Sequence, residues 1–283
     1  MKIEIGGYEL DVKSDPTIQN NASNNKIPIE DIGFIYNCAF KQRAAVIHAI
    51  ESIRDVYPDS KIRIFSDGGL DYSFLEDENL ITSMEEDTVS NIKKINESNF
   101  LEEEHQLVTK KGMAATIDRL QRGLKDCGYP EWVCIIDPDV LIRGKISYPD
   151  NAKLLGTRIN YAWYRPQWLD GFMGINKLLS HVDGSVPVFR WGATPVIGHT
   201  QTLLKGIDIY LKNFDIFDKL SEQYHVAGTF DLFIPILFAL AGESEVFSDE
   251  YIECLRDPSW ETSSHPIVHQ WREYYDTKDH YWG

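Results

Sequence analysis

Apolar and polar positions along the chain alternate between two periods. The run IGFIYN, beginning at Ile32, is short, continuous and apolar enough for a buried strand. In the following stretch, KQRAAVIHAIESIRDVY, the residues Ala45, Ile47, Ile50, Ile53 and Val56 recur at roughly helical spacing, which predicts an amphipathic helix with that stripe inward. Pro58 and Asp59 mark a turn, and KIRIFSD reads as a second strand. A strand–helix–strand unit with such short connections implies a right-handed crossover into a parallel sheet. Ligands bind at the carboxyl edge of sheets of this kind, where Asp67-Gly68-Gly69 falls.

The pattern weakens in EDENLITSMEEDTVSNIKKINESNFLEEEH, an acidic segment expected to form solvated helix and loop. It sharpens again in MAATIDRLQRGLKDCG, with Ala114, Ile117, Leu120 and Leu124 expected inward and Gly128 near the helix stop. WVCII, after Pro130, is a β-rich apolar run expected to be a central strand that delivers Asp137 and Asp139 to the same carboxyl edge. Later, VPVFRWGATPVIG has β character broken by Gly and Pro, HTQTLLKGIDIYLKNF predicts a helix, and TFDLFIPILFALAG predicts another, distorted near Pro235. The tail from Arg256, rich in His, Trp and Tyr, reads as a surface-crossing loop with a short helix. At the other end, KIEIGGYELDV predicts a small hairpin turned at Gly6-Gly7, followed by an Asn/Ser-rich arm. No internal repeat is present. The expected fold class is α/β: a mixed, mainly parallel sheet flanked by helices, in a single compact domain.

Composition narrows the function classes. The 283 residues are 43% hydrophobic and 25% charged, which is globular composition. The net charge of −16 opposes a nucleic-acid backbone, so no nucleic-acid partner is expected. A phosphate-bearing small molecule remains compatible, because a divalent cation neutralises it locally. Cys38, Cys127, Cys134 and Cys254 form no C-x-x-C pair and read as reduced, mostly buried thiols. No run approaches the roughly 18 apolar residues of a membrane span, and the first residues lack a secretory h-region, so no integral membrane segment and a cytoplasmic location are expected.

Candidate chemistry centres on Asp137-Pro138-Asp139. Two carboxylates one residue apart at a strand end repel each other, and proline between them stiffens the turn. A hard divalent cation offsets that repulsion and takes oxygen ligands together with substrate phosphates.

In order and spacing, FIYNCAFKQRAAVIHAIESI, FSDGG, TKKGMAATIDRLQRGL and EWVCIIDPDVLI resemble the GT-A (Rossmann-like) glycosyltransferases, most closely their family 2-like, DxD-containing members. The resemblance covers residues 31–145 well and continues more weakly to about residue 250. Ser66 stands where the family pattern has a first acid. The resemblance implies that Ala39 and Phe40 lie beside a nucleotide base whose edge Asp67 reads. It implies that Asp139, with Asp137 acting directly or through water or ribose, binds the Mn²⁺ or Mg²⁺ ion bridging a diphosphate, and that Lys111 contacts phosphate. GTFDLFIPILFALAG fits the frame in which inverting members place a general base, making Asp231 the candidate; Phe230 occupies the place of an expected acid. Many GT-A enzymes take a further metal ligand from a late histidine, which makes His265 and His269 candidates, although Pro266 argues against a regular helix there. Arg190, Trp191 and Gly192 are expected to line the donor sugar, and Trp163, Tyr164 and Trp168 to offer aromatic faces to a carbohydrate acceptor.

The implied activity is metal-dependent transfer of a sugar from a UDP- or GDP-sugar to a glycan or other hydroxyl acceptor, inverting if Asp231 is the base. A retaining enzyme of the same fold is the alternative. A haloacid-dehalogenase-like phosphatase would carry IIDPDVLI on its first strand, whereas here a full strand–helix–strand unit precedes it. A pyrophosphorylase would need a Gly-rich, Arg-containing loop, which NCAFKQRAA lacks. The expected organisation is an arm or hairpin at 1–30, a nucleotide-sugar-binding half at 31–145, and an acceptor-binding half at 146–283 whose tail closes over the donor.

Overall fold

A computed structural model describes residues 2–5, 8–11, 25–39, 43–67, 71–85, 110–150, 152–156, 195–215, 234, 237–238, 240–243, 246–247, 251–253 and 263–269. Strands β1 (Lys2–Ile5) and β2 (Tyr8–Asp11) pair antiparallel, with Ile5 opposite Tyr8. The unit that follows is the anticipated one: β3 (Ile32–Ala39), α1 (Arg43–Val56) and β4 (Lys61–Asp67), with β3 and β4 parallel neighbours.

The buried face of α1 is Ala45, Val46, Ala49, Ile50 and Ile53. Ile47 and Val56, expected inward, are only partly buried. Val46, Ala49, Ile50 and Ile53 keep the i, i+3, i+4, i+7 spacing, so the stripe is rotated slightly from the one drawn through the isoleucines.

Strand β5 (Leu80–Glu85) corrects the expectation of helix and loop for that part of the acidic segment; residues 86–105 lie outside the described residues. It pairs parallel with β4, and among its residues only Leu80 is fully buried. An edge strand shares one flank and half-covers its side chains, so no apolar run announces it.

Helix α2 (Lys110–Asp126) buries Ile117, Leu120 and Leu124 as expected, but leaves Ala114 exposed. It ends at Gly128 with φ of 75°. The Gly128 amide donates to the Lys125 carbonyl (2.9 Å) and the Tyr129 amide to Leu124 (2.8 Å), the paired bonds of a Schellman stop.

Next come β6 (Trp132–Ile136), β7 (Val140–Ile142), β8 (Leu154–Gly156), β9 (Val196–His199), α3 (Thr200–Lys212), β10 (Val246–Phe247), β11 (Tyr251–Glu253) and β12 (Ile267–His269). The last of these lies in the tail from Arg256, where the sequence predicts surface loop and a short helix. All three residues of β12 are buried, because β12 is enclosed between β11 and β7.

Among the described residues, one sheet has seven strands in the order β10-β8-β9-β6-β3-β4-β5. It is mixed: β6-β3-β4-β5 and β10-β8 are parallel, and β9 is antiparallel to both β6 and β8. Strands from both sides of residue 145 therefore share one sheet.

Successive residues of β3 and β6 feed two cores. Phe34, Tyr36, Cys134 and Ile136 pack with Val46, Ala49 and Ile50 of α1. Ile35, Val133 and Ile135 pack with Ile117, Leu120 and Leu124 of α2 and Leu203 and Ile207 of α3. Double-sided burial is why WVCII is continuously apolar. Ile-to-Ala changes at such positions cost about 2–5 kcal/mol, large beside a total stability of about 5–15 kcal/mol, so β6 is a fixed frame for whatever follows it.

Two details of packing are testable. Gly206 of α3 lies against the backbone of Leu237, and a Cβ there would overlap the Leu237 carbonyl. Gly206→Ala should lower stability by about 1–3 kcal/mol or more, read as a shift of the urea midpoint without a change in m-value.

At the opposite sheet edge, Arg122 grips Glu85 with two parallel bonds (both 2.9 Å) and also binds Asp118. The Arg122 hydrogen bonds, against the opposing cost of burial, hold the Glu85 carboxyl down at about 2 from the usual 4.5. Because the folded value is depressed, this contribution is complete above the unfolded value and is lost as pH falls towards 2. In urea unfolding, the stability gap between wild type and Glu85→Gln should be widest above about pH 5 and narrow steadily below it.

Candidate metal centre

The site begins where β6 runs out. The Val140 amide donates to the Asp137 carbonyl (3.2 Å), closing a four-residue turn with Pro138 second and Asp139 third. Aspartate first and proline second are the residues such a turn prefers, so DPDV encodes its own geometry. Asp139 is buried, at 5% exposure, and Asp137 is half-buried.

Strand β7 then leaves the main sheet and joins β12 antiparallel, with His269 opposite Val140 and Ile267 opposite Ile142. The Arg143 amide extends the ladder to the Pro266 carbonyl (2.7 Å). Helix α1 anchors the same segment: Ser52 Oγ accepts from the Ile142 amide (3.1 Å), and Tyr57 Oη accepts from the Ile146 amide (2.8 Å).

Pairing across β7 brings a ring from the far end of the chain to the acids. His269 is buried at 6% exposure, and its Nε2 lies 3.3 Å from Asp139 Oδ1. One ligand atom each from Asp137, Asp139 and His269 fall within 4.8 Å of one another. Two carboxylates about 5 Å apart repel by roughly 3 kcal/mol at an effective dielectric of about 20. A protonated His269 would compensate one of them; a divalent cation compensates both. Two carboxylate oxygens and an imidazole nitrogen are donors that suit Mn²⁺, and Mg²⁺ less well because of the nitrogen. The residues present fit a divalent ion.

The late histidines separate. His265 is partly buried and placed against Ser263, whose Oγ lies 3.1 Å from its Nδ1 and accepts from its amide. It is not in the three-residue group. Asp67 ends β4, its backbone registered with Ala39 of β3 and Glu85 of β5, at the carboxyl edge from which Asp137 also emerges. Lys111 is in the first turn of α2. Phe40, Trp163, Tyr164, Trp168, Arg190, Trp191, Gly192 and Asp231 lie outside the described residues. Near Asp231, the described residues Ile234, Leu237, Phe238 and Leu240 have helical backbone and are buried.

Tyr36 and Cys38, on the neighbouring strand, are fully buried. Burial, then the nearby thiols of Cys134 and Cys38, then Asp137 and Asp139 push the Tyr36 phenol well above its usual range. Burial and then Asp137 push the Cys38 thiol up as well. Cys38, Cys127 and Cys134 are free and buried, so these thiols are packing residues held protonated. Nothing in residue spacing singles out Tyr36.

No protein-family model matches the chain, and no curated protein matches it significantly. Among solved structures, the galactosyltransferase LgtC in complex with donor and acceptor sugar analogues is similar at 15% identity and a TM-score of 0.46, over 84% of this chain and 86% of that one. An active-site mutant of LgtC is similar at 13% identity and the same TM-score of 0.46, over 84% and 86% of the two chains. Neither likeness assigns a role to a residue of this chain.

Manganese should raise the unfolding temperature of the wild-type protein, since a ligand at 100 times its Kd adds about 2.7 kcal/mol. Differential scanning fluorimetry should show that rise lost in Asp139→Asn and His269→Ala and kept in His265→Ala.

Proposed function

We propose that the chain is a metal-dependent glycosyltransferase of the GT-A type that moves a sugar from a nucleoside-diphosphate donor to a hydroxyl acceptor. One observation carries this reading: Asp137, Asp139 and His269 converge at the carboxyl edge of a sheet whose neighbouring strands end at Ala39 and Asp67. Parallel sheets hold nucleotides at this edge, so a cation there would be placed to meet a diphosphate. When bound, Mn²⁺ or Mg²⁺ supplies positive charge to the diphosphate, which becomes more negative as the sugar departs.

The chain's own residues divide the remaining work. Asp137, Asp139 and His269 hold the ion. Ala39, Phe40 and Asp67 bound the base, and Lys111 neutralises phosphate. Arg190, Trp191 and Gly192 line the donor sugar, and Trp163, Tyr164 and Trp168 receive the acceptor. Asp231 takes the proton from the acceptor hydroxyl as its oxygen bonds to the anomeric carbon, and the carbon–phosphate oxygen bond breaks. In this reading, residues 31–145 bind the nucleotide sugar, and residues 146–283 bind the acceptor and close the C-terminal tail over the donor.

The full β3–α1–β4 unit ahead of Asp137 favours this reading over a phosphatase, which carries its nucleophilic aspartate on its first strand. Among the described residues, no helix is long and apolar enough to cross a membrane.

A thermal-shift screen of UDP- and GDP-sugars, with and without Mn²⁺, tests the reading. One nucleotide sugar should stabilise the protein only when manganese is present, and should be consumed when an acceptor is supplied. Asp231→Asn should cut turnover by about 10²–10⁴-fold while leaving donor stabilisation intact. Inversion of the anomeric configuration, read by NMR, should accompany turnover. Full activity of Asp231→Asn, or a retained configuration, would remove the base from Asp231. Hydrolysis of a generic aryl phosphate in place of sugar transfer would overturn the proposal.

A further inference from the structure

Three fully buried side-chain hydroxyls on β3, on β4 and just after it have no hydrogen-bond partner among the described residues: Tyr36, Ser66 and Tyr72. Buried hydroxyls are rarely left so, and each asks for a partner. Tyr72 stands in the field of Cys38 and Arg43. Tyr36 is different. The β3–β6 register sets it beside Ile136, the residue immediately before Asp137, and both Asp137 and Asp139 act on its phenol. Its ring is fully buried, so bulk water does not serve the hydroxyl. A phenol is a donor well matched to the oxygens that crowd around a carboxylate-bound ion.

We infer that Tyr36 is a positioning residue of the candidate metal centre, its O–H donating to an oxygen of the Asp137–Asp139 coordination sphere. The inference rests on the metal-binding reading above and adds an outer partner to it. Outer partners of this kind hold a ligand's orientation, and their loss typically weakens metal affinity by 10–100-fold. Tyr72, equally buried and equally without a partner, serves as the internal control.

Titration of the intact chain with MnCl₂ by calorimetry, together with the EPR spectrum of the bound ion, tests the inference. Tyr36→Phe should bind Mn²⁺ at least about 10-fold more weakly than wild type, with an altered EPR splitting. Its metal-free unfolding temperature should be unchanged or higher, because a hydroxyl without a partner has been removed. Tyr72→Phe should keep wild-type affinity and spectrum. Wild-type affinity and spectrum in Tyr36→Phe would overturn the inference while leaving the metal centre standing. A fall in the metal-free unfolding temperature of Tyr36→Phe would also overturn it, since the hydroxyl would then have a structural partner. Absence of Mn²⁺ binding by the wild type would remove both the centre and this role for Tyr36.

Discussion

Two carboxylates held one residue apart at the end of a buried strand are the constraint on which the structure turns. Asp137 and Asp139 do not separate freely, because the turn that carries them is closed by a backbone bond and stiffened by proline. Burial of Asp139 removes much of the water that would otherwise screen the pair. A surface D-x-D turn pays little for the same sequence. Here the repulsion is of the order of a few kcal/mol, comparable with a sizeable fraction of a domain's net stability. Something positive has to belong to this place, and the third group brought there, His269, is a ligand in its neutral form and a counter-ion in its charged one.

The architecture is arranged to make that meeting reliable. Strand β6 is covered on both faces, by α1 on one side and by α2 and α3 on the other, so the carboxyl end of the strand is fixed. Ser52 and Tyr57, at the far end of α1, bind the backbone just beyond the acidic turn. The short strand β7 then serves as a template on which β12 lies, and the register of that pairing sets His269 opposite Val140. A residue 130 positions downstream of Asp139 thus reaches it through one antiparallel ladder.

Much of this was legible in the chain. The first strand–helix–strand unit, α2 with its glycine stop and the central strand WVCII all announce themselves, because double-sided burial writes continuous apolar runs and amphipathic packing writes helical stripes. What went unread has a common cause. Strand β5 is an edge strand with one fully buried residue, and β11 and β12 are three-residue strands whose identity comes from their neighbours. Such elements are products of tertiary pairing, and local periodicity carries no trace of them. The same holds at the site: D-P-D is visible as a turn with two acids, but the preference for His269 over His265 depends on a strand register. Tyr36 is less visible still, since a tyrosine in a buried strand reads as packing until its hydroxyl is found buried without a partner in the field of Asp137 and Asp139.

The central claim is that one divalent ion binds between Asp137, Asp139 and His269. Anomalous diffraction at the manganese edge, from crystals grown with Mn²⁺ and UDP, tests it most directly. A single strong peak within bonding distance of Asp139 and His269, continuous with density for a diphosphate, is the predicted result. Ordered side chains of all three residues with no anomalous peak between them, or manganese held only elsewhere on the acidic surface, would contradict it.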